Sequence, residues 1–182
     1  MEATEAAGDA VLRARVAGLI RDIPVFPQPE VVFKDITPVL ADAEAYTAVV
    51  RWMAAPFHHK TDKVAAIEAR GFILGGPVAH ALGTGLVPVR KLGKLPAPTV
   101  AEAYMLEYGE ATLEMHVDAI EPGDRVLIVD DVIATGGTGV ATAQILRRSG
   151  AQVVGVVALL EIVALGGRAR LSDYDLRVLL SV

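Results

Sequence analysis

With 182 residues, 53% of them hydrophobic, the chain has enough apolar material for one compact core, and a single domain over residues 1–182 is expected. A net charge of −5 argues against a polyanion as the main partner, the absence of cysteine removes disulfides and thiol chemistry, and four scattered histidines make no His-rich metal site. No apolar run reaches membrane-spanning length, and the N-terminus is acidic and alanine-rich rather than basic then apolar, so the expectation is a cytoplasmic protein with small-molecule partners, no nucleic acid and no membrane.

Apolar residues recur at helical spacing over 11–21, and Pro24 closes that helix; Pro24, Pro27 and Pro29 keep the next stretch extended. A strand-like piece follows at 31–36, then a second helix at 46–57 and a polar turn at 58–62. From Val64 the pattern changes: strands at 64–67, 86–89, 126–129 and 153–160 alternate with helices at 72–82 and 140–148. Such alternation argues for a doubly wound α/β domain with a mainly parallel sheet covered on both faces. Between Lys91 and Glu114 a Gly/Pro-rich stretch and two strand-like segments, 104–108 and 111–116, replace the helix. An insertion of that kind reads as a functional lid.

The most informative stretch is VLIVDDVIATGGT, residues 126–138. A short apolar strand ends on Asp130 and Asp131, and a turn containing Ala134, Thr135, Gly136, Gly137 and Thr138 opens onto a helix. The glycines let the backbone curl around a bound group, and the helix N-terminus points unpaired N–H groups at it, which makes an anion cradle of phosphate size. The two carboxylates would repel a bare phosphate and instead suit sugar hydroxyls or hydrated magnesium. A pentose 5-phosphate satisfies both halves. The turn lacks the Gly-Lys-Ser/Thr of a P-loop and the G-x-G-x-x-G of a dinucleotide fold. A second strand-to-helix turn, Glu68-Ala69-Arg70-Gly71, offers more N–H groups and a guanidinium, and Arg90, Lys91 and Lys94 follow another buried strand. On sequence alone Arg70 is equally a surface ion-pair residue, and the lysines a solvated charge run.

These residues carry a resemblance. The 126–138 stretch is similar to the signature of type I phosphoribosyltransferases, which bind 5-phosphoribosyl 1-pyrophosphate (PRPP). FPQPEVVFKDITPVL, IEARGF, VRKLGKLP and YMLEYG resemble segments of the adenine phosphoribosyltransferase branch. The resemblance implies the type I fold, with a small N-terminal hood (1–40), a flexible loop and strands (91–116), and the PRPP motif and helix (126–148).

It further implies that adenine attacks PRPP through N9, giving AMP and pyrophosphate in purine salvage, with magnesium held mainly by PRPP and no confident metal ligand among protein side chains. Residues 134–138 would bind the 5-phosphate, and Asp130 and Asp131 the ribose. Ala69, Arg70, Gly71, Arg90, Lys91 and Lys94 would bind pyrophosphate. Glu107, Lys91 and Arg70 would be catalytic, with Tyr104 and Tyr108 on the lid. Adenine would lie between Phe33 and Ile162, read by the backbone of Val32 and Lys34. A homodimer is also implied. Taken alone, Glu107 is an exposed strand residue, and Phe33 and Ile162 are core. The chain departs from the family pattern at Glu30 and Lys34. Competing readings are a transferase for another base and a PRPP-sensing regulator; the first lacks support in YMLEYG and the second lacks a basic face.

Overall fold

The alternation of apolar runs and helical stretches becomes nine strands and six α-helices among the described residues of a computed structural model. The structure describes all residues except 1, 27–28, 30–31 and 106–109, and of residues 2–6, 105 and 110 only the backbone. The chain divides into two units, 1–52 and 53–182.

In the first unit, α1 (Glu2–Leu19) starts nine residues before the expected helix and stops two residues before its expected end. The leader EATEAAGDA has strong helix formers but no apolar stripe, so periodicity alone does not register it. The end comes early because β1 (Arg21–Pro24) pairs antiparallel with β2 (Val32–Asp35), Arg21 opposite Asp35 and Pro24 opposite Val32. Pro24 is tolerated there because a two-stranded ribbon has only edges. After α2 (Thr37–Ala41), α3 (Ala43–Ala54) begins three residues earlier than expected, since Asp42 accepts a hydrogen bond from the N–H of Ala45 at 2.8 Å and so caps it. Pro56 lies in the short 3-10 turn Ala55–Phe57 that follows α3.

The second unit is built on a seven-stranded sheet: β3 (Lys63–Ile67), β4 (Gly85–Lys91), β5 (Thr99–Met105), β6 (Glu110–His116), β7 (Arg125–Ile133), β8 (Gln152–Glu161) and β9 (Leu176–Ser181), in the order β5-β6-β4-β3-β7-β8-β9. Strands β4, β3, β7, β8 and β9 are parallel, and β6 and β5 add an antiparallel edge. Helix α4 (Arg70–Leu82) packs so closely on Ala66 that a Cβ at Gly75 would come within 2.5 Å of the Ala66 Cβ. Helix α5 (Gly137–Arg148) shares its core with Ala65 and Ile67 instead. Neighbouring strand residues point to opposite faces, so the two helices cover opposite sides of the sheet, as doubly wound folds require. Among the described residues no helix is long and apolar enough to cross a membrane.

Three differences from the sequence reading matter. The insertion is less irregular than expected: β5 begins at Thr99 and pairs with β6 through Met105, whereas the expected strand at 104–108 lies mostly outside the described residues. Strand β7 runs four residues past its expected end, because its pairing with β8 continues to Ile133 opposite Glu161. Strand β9 and the short helix α6 (Gly167–Arg170) were not foreseen.

Candidate active site

Strands β3 and β7 lie side by side, but β3 crosses over through α4 to β4 on one side and β7 through α5 to β8 on the other. The strand order thus reverses between them, and in open α/β sheets ligands bind in the crevice at the carboxyl ends of such a pair. Pairing of β3 with β7 ends at Ala66 opposite Val129, so Asp130 and Asp131 continue along a strand that β3 has already left. A cavity of about 280 Å³ opens there. Of the expected site residues it is lined by Arg70, Lys91, Tyr104, Asp130, Asp131, Ala134, Thr135, Gly136 and Thr138.

The phosphate turn is shaped by Gly136, whose φ of +78° is a left-handed conformation that a side chain rarely adopts. It caps α5, leaving the first N–H groups of a 12-residue helix at the cavity. Gly71 serves a different end. A Cβ there would come within 3.1 Å of both Asp130 Oδ1 and the Val129 carbonyl, so its absence lets the start of α4 approach β7. The peptide bond between Glu68 and Ala69, just before α4, is cis.

Both aspartates are buried, at 8% and 5% exposure. Burial first, then the charge of Asp131, pushes the Asp130 carboxyl well above the usual range; the Asp131 carboxyl is raised too, by burial, against the opposing pull of Arg70. Asp130 Oδ1 accepts a hydrogen bond from the Asp131 N–H at 2.8 Å. Arg70 Nε lies 2.8 Å from Asp131 Oδ2, an ion pair whose donor is not aligned on that oxygen, which accepts no hydrogen bond. Arg70 therefore reaches from the start of α4 to β7, rather than pointing only at an incoming anion.

Other expected residues sit differently. Arg90 donates to Glu68 at 2.7 Å and to the Lys94 carbonyl at 2.8 Å, so its guanidinium is engaged within the protein. The Lys94 side chain is exposed, and its N–H donates to buried Glu114. Ala69 and Gly71 flank Arg70 in sequence without lining the cavity, and Gly137 faces an adjoining groove. Ile162 is half-buried, its N–H bonded to the Ile133 carbonyl. In the first unit Val32, Phe33 and Lys34 lie on β2, where Phe33 meets Phe26 edge to face at 5.2 Å and Lys34 pairs with Asp22 at 2.8 Å. Glu107 and Tyr108 lie outside the described residues.

Residues 38–180 match the Phosphoribosyl transferase domain family. The adenine phosphoribosyltransferase of Thermobifida fusca is 57% identical over 164 residues, 90% of this chain and 93% of that protein. The chain belongs to the adenine phosphoribosyltransferase family. Among solved structures, the adenine phosphoribosyltransferase of Rhodothermus marinus superposes with a TM-score of 0.91 at 51% identity, covering 95% of this chain and 99% of that one. The yeast (Saccharomyces cerevisiae) adenine phosphoribosyltransferase, complexed with an imino-altritol bisphosphate and adenine, gives 0.89 at 31% identity, covering 94% and 99%. The doubly wound fold expected of a family member is what the second unit shows.

Three residues of this family member's site region received no role from its sequence. Glu68 lines the cavity and holds Arg90, 22 residues away. Glu114, 3% exposed, accepts from the N–H groups of Lys94 (2.8 Å) and Leu95 (3.0 Å) and from the Thr99 hydroxyl (3.2 Å). Burial alone would raise its carboxyl, but those donors hold it below the ordinary range. Glu161 closes β8 under a two-pronged contact from Arg168. The only sequence signal at any of them is weak: Glu161 ends the long apolar run 153–160, whereas Glu114 lies in a strand, EATLEMH, that is already mixed.

Proposed function

We propose that this protein transfers the 5-phosphoribosyl group of PRPP to N9 of adenine, forming AMP and pyrophosphate in purine salvage. The supporting observation is the convergence of a helix-capping Gly-Thr turn, a buried carboxylate pair and the cations Arg70 and Lys91 on one cavity. Those are the chemical complements of a 5-phosphate, a ribose diol and a pyrophosphate. In the reaction the C1–N9 bond forms as the C1–oxygen bond to pyrophosphate breaks, and the N9 proton leaves to a base. Positive charge grows on the ribose ring and negative charge on the departing pyrophosphate, so electrostatics and positioning dominate.

In this reading Ala134, Thr135, Gly136, Gly137 and Thr138 hold the 5-phosphate. Asp130 and Asp131 accept the ribose hydroxyls, and their raised carboxyls fit a pair that becomes comfortable as anions only when donors and a cationic sugar arrive. Lys91 and Arg70 bear on the leaving group, with Ala69 and Gly71 supplying backbone and Lys94 steering from the surface. Arg90 acts through Glu68 and the Lys94 carbonyl. Resemblance alone carries Glu107 as acceptor of the N9 proton, Tyr108 beside it, and adenine's contacts with Phe33, Ile162 and the backbone of Val32 and Lys34. It likewise carries the hood at 1–40 and the lid at 91–116. The donor set, two adjacent carboxylates of which one already faces Arg70, suits ribose hydroxyls better than a full metal shell. Magnesium, taking its ligands mainly from PRPP and water, would neutralise charge on the leaving group. A cytoplasmic homodimer completes the reading; resemblance alone carries the homodimer.

The deciding experiment is base choice with PRPP and magnesium. Adenine offers an amino donor and a ring-nitrogen acceptor, whereas hypoxanthine and guanine present the reverse pattern. A site matched to the first leaves polar groups unpaired with the second, at about 1–3 kcal/mol each. AMP should form readily and the other nucleotides far more slowly. Pyrophosphate release as fast with hypoxanthine as with adenine would refute the assignment.

A further inference from the structure

The phosphate turn is backed by a segment to which the proposed reaction assigns nothing. Residues 166–171 run directly behind it. A Cβ on Gly167 would collide with the Ala134 carbonyl and come within 2.8 Å of the Gly136 N, and one on Gly136 would lie 2.6 Å from the Gly167 carbonyl oxygen. The two backbones are thus in contact with no room for a methyl group on either side. Arg170 Nη1 reaches the Thr135 carbonyl at 3.4 Å, and the buried Leu171 side chain sits 3.3 Å from where a Cβ of Gly139 would be. Turn, helix start and backing segment touch at three points, so a displacement of one moves the others.

What fastens the backing segment lies at the ends of three adjacent strands. Ile133 of β7, Glu161 of β8 and Ser181 of β9 are in register. Glu161, 6% exposed, receives Arg168 Nε and Nη2 at 2.8 Å each and the Ser181 hydroxyl at 2.5 Å. The Arg168 hydrogen bonds keep that carboxyl below its usual range and charged. Arg168 immediately follows Gly167, the residue in contact with the turn. A fork on a carboxylate fixes direction as well as distance. Because the Arg168 side chain remains 54% exposed, the pair adds little to global stability; its value is geometric.

We propose that Glu161, Arg168 and Ser181 form a brace that sets the shape of the phosphate turn, making Arg168 a positioning residue for the 5-phosphate end of the substrate. The inference rests on the function proposed above but concerns one end of one substrate. Pyrophosphate is assigned to the other turn, at the start of α4, so the two ends should respond differently.

The test is calorimetric titration of ribose 5-phosphate and of pyrophosphate, separately, into the wild-type protein and into R168A, R168K and S181A, with PRPP kinetics alongside. R168A should weaken ribose 5-phosphate binding and raise the PRPP KM by roughly 5- to 20-fold, since small misplacements of a preorganised site are costly. Pyrophosphate affinity should stay within about twofold, as expected for separated sites. R168K should recover part of the loss, and S181A should show the same split more weakly; these two milder variants carry the test if R168A does not fold. An unchanged ribose 5-phosphate affinity in folded variants, or an equal loss for both ligands, overturns the brace. A wild-type protein that binds no ribose 5-phosphate overturns the function reading and the brace with it; wild-type binding without the split overturns the brace alone.

Discussion

Buried carboxylates occur in two kinds of surroundings in this protein, and the contrast separates structural from functional burial. Glu114 and Glu161 are 3% and 6% exposed and fully supplied with donors, which hold both carboxyls below their ordinary range. Asp130 and Asp131 are equally buried, stand side by side, and are both raised; one oxygen of Asp131 accepts no hydrogen bond. A folded chain keeps the first arrangement because it stabilises the chain. The second costs stability, and it makes sense only where a ligand completes it. The pair lies in the crevice at the strand-order reversal, and the satisfied glutamates lie on the supports around it.

The largest effect expected from this contrast is at Glu114. Glu114→Ala leaves two N–H groups and a hydroxyl without an acceptor and opens a void, so the loss should be about 2–4 kcal/mol of unfolding free energy. Glu114→Gln keeps an oxygen for Lys94 and Leu95 and offers its amide to Thr99, and should lose much less. Urea unfolding of the two variants compares them. Similar losses would mean that charge, rather than donor satisfaction, is what this position supplies.

At the aspartates the same kind of change should leave the fold intact and act on binding. Asp131→Asn removes a charged acceptor from the proposed ribose site, a charge-assisted hydrogen bond worth about 1.5–3 kcal/mol, and PRPP and AMP should bind correspondingly less tightly. Calorimetry on the folded variant reads this directly. Unchanged PRPP affinity would take Asp131 out of the ribose site.

Much of this contrast was hidden in the sequence, for identifiable reasons. Asp130 and Asp131 stand out because they interrupt an apolar strand just before a Gly-rich turn, and everything that marks them is local. The same locality exposes α4, α5 and the strands before them. Glu114 does not stand out, because its donors are main-chain N–H groups 19 and 20 residues away, which no side-chain pattern reveals. The contact of Arg90 with Glu68 is equally invisible, because the two residues are 22 positions apart. β9 escaped because LRVLLS is short and only partly buried at the sheet edge, and the start of β5 was masked by the prolines at 96 and 98. The reach of β7 past Val129 depends on β8 continuing beside it, a property of the pairing and not of either segment.

The smallest expected effect is also the one that reverses sign between the two groups. A carboxyl held low in the fold, such as Glu114 or Glu161, contributes stability above its unfolded value and loses it as pH falls through its depressed one. Asp130, held high, does the opposite: between its unfolded and folded values the native state binds the extra proton, so stability falls as pH rises through that interval. Asp130→Asn keeps an oxygen to accept from the Asp131 N–H while removing the charge, and should therefore stabilise the ligand-free protein, by about 1 kcal/mol. The gain should be larger near pH 8 than near pH 5, where the wild-type carboxyl is closer to neutral. Melting curves at the two pH values measure it. A variant no more stable than wild type at either pH would show that the aspartate pair carries no strain, and the contrast with the glutamates would then reduce to the number of hydrogen bonds each receives.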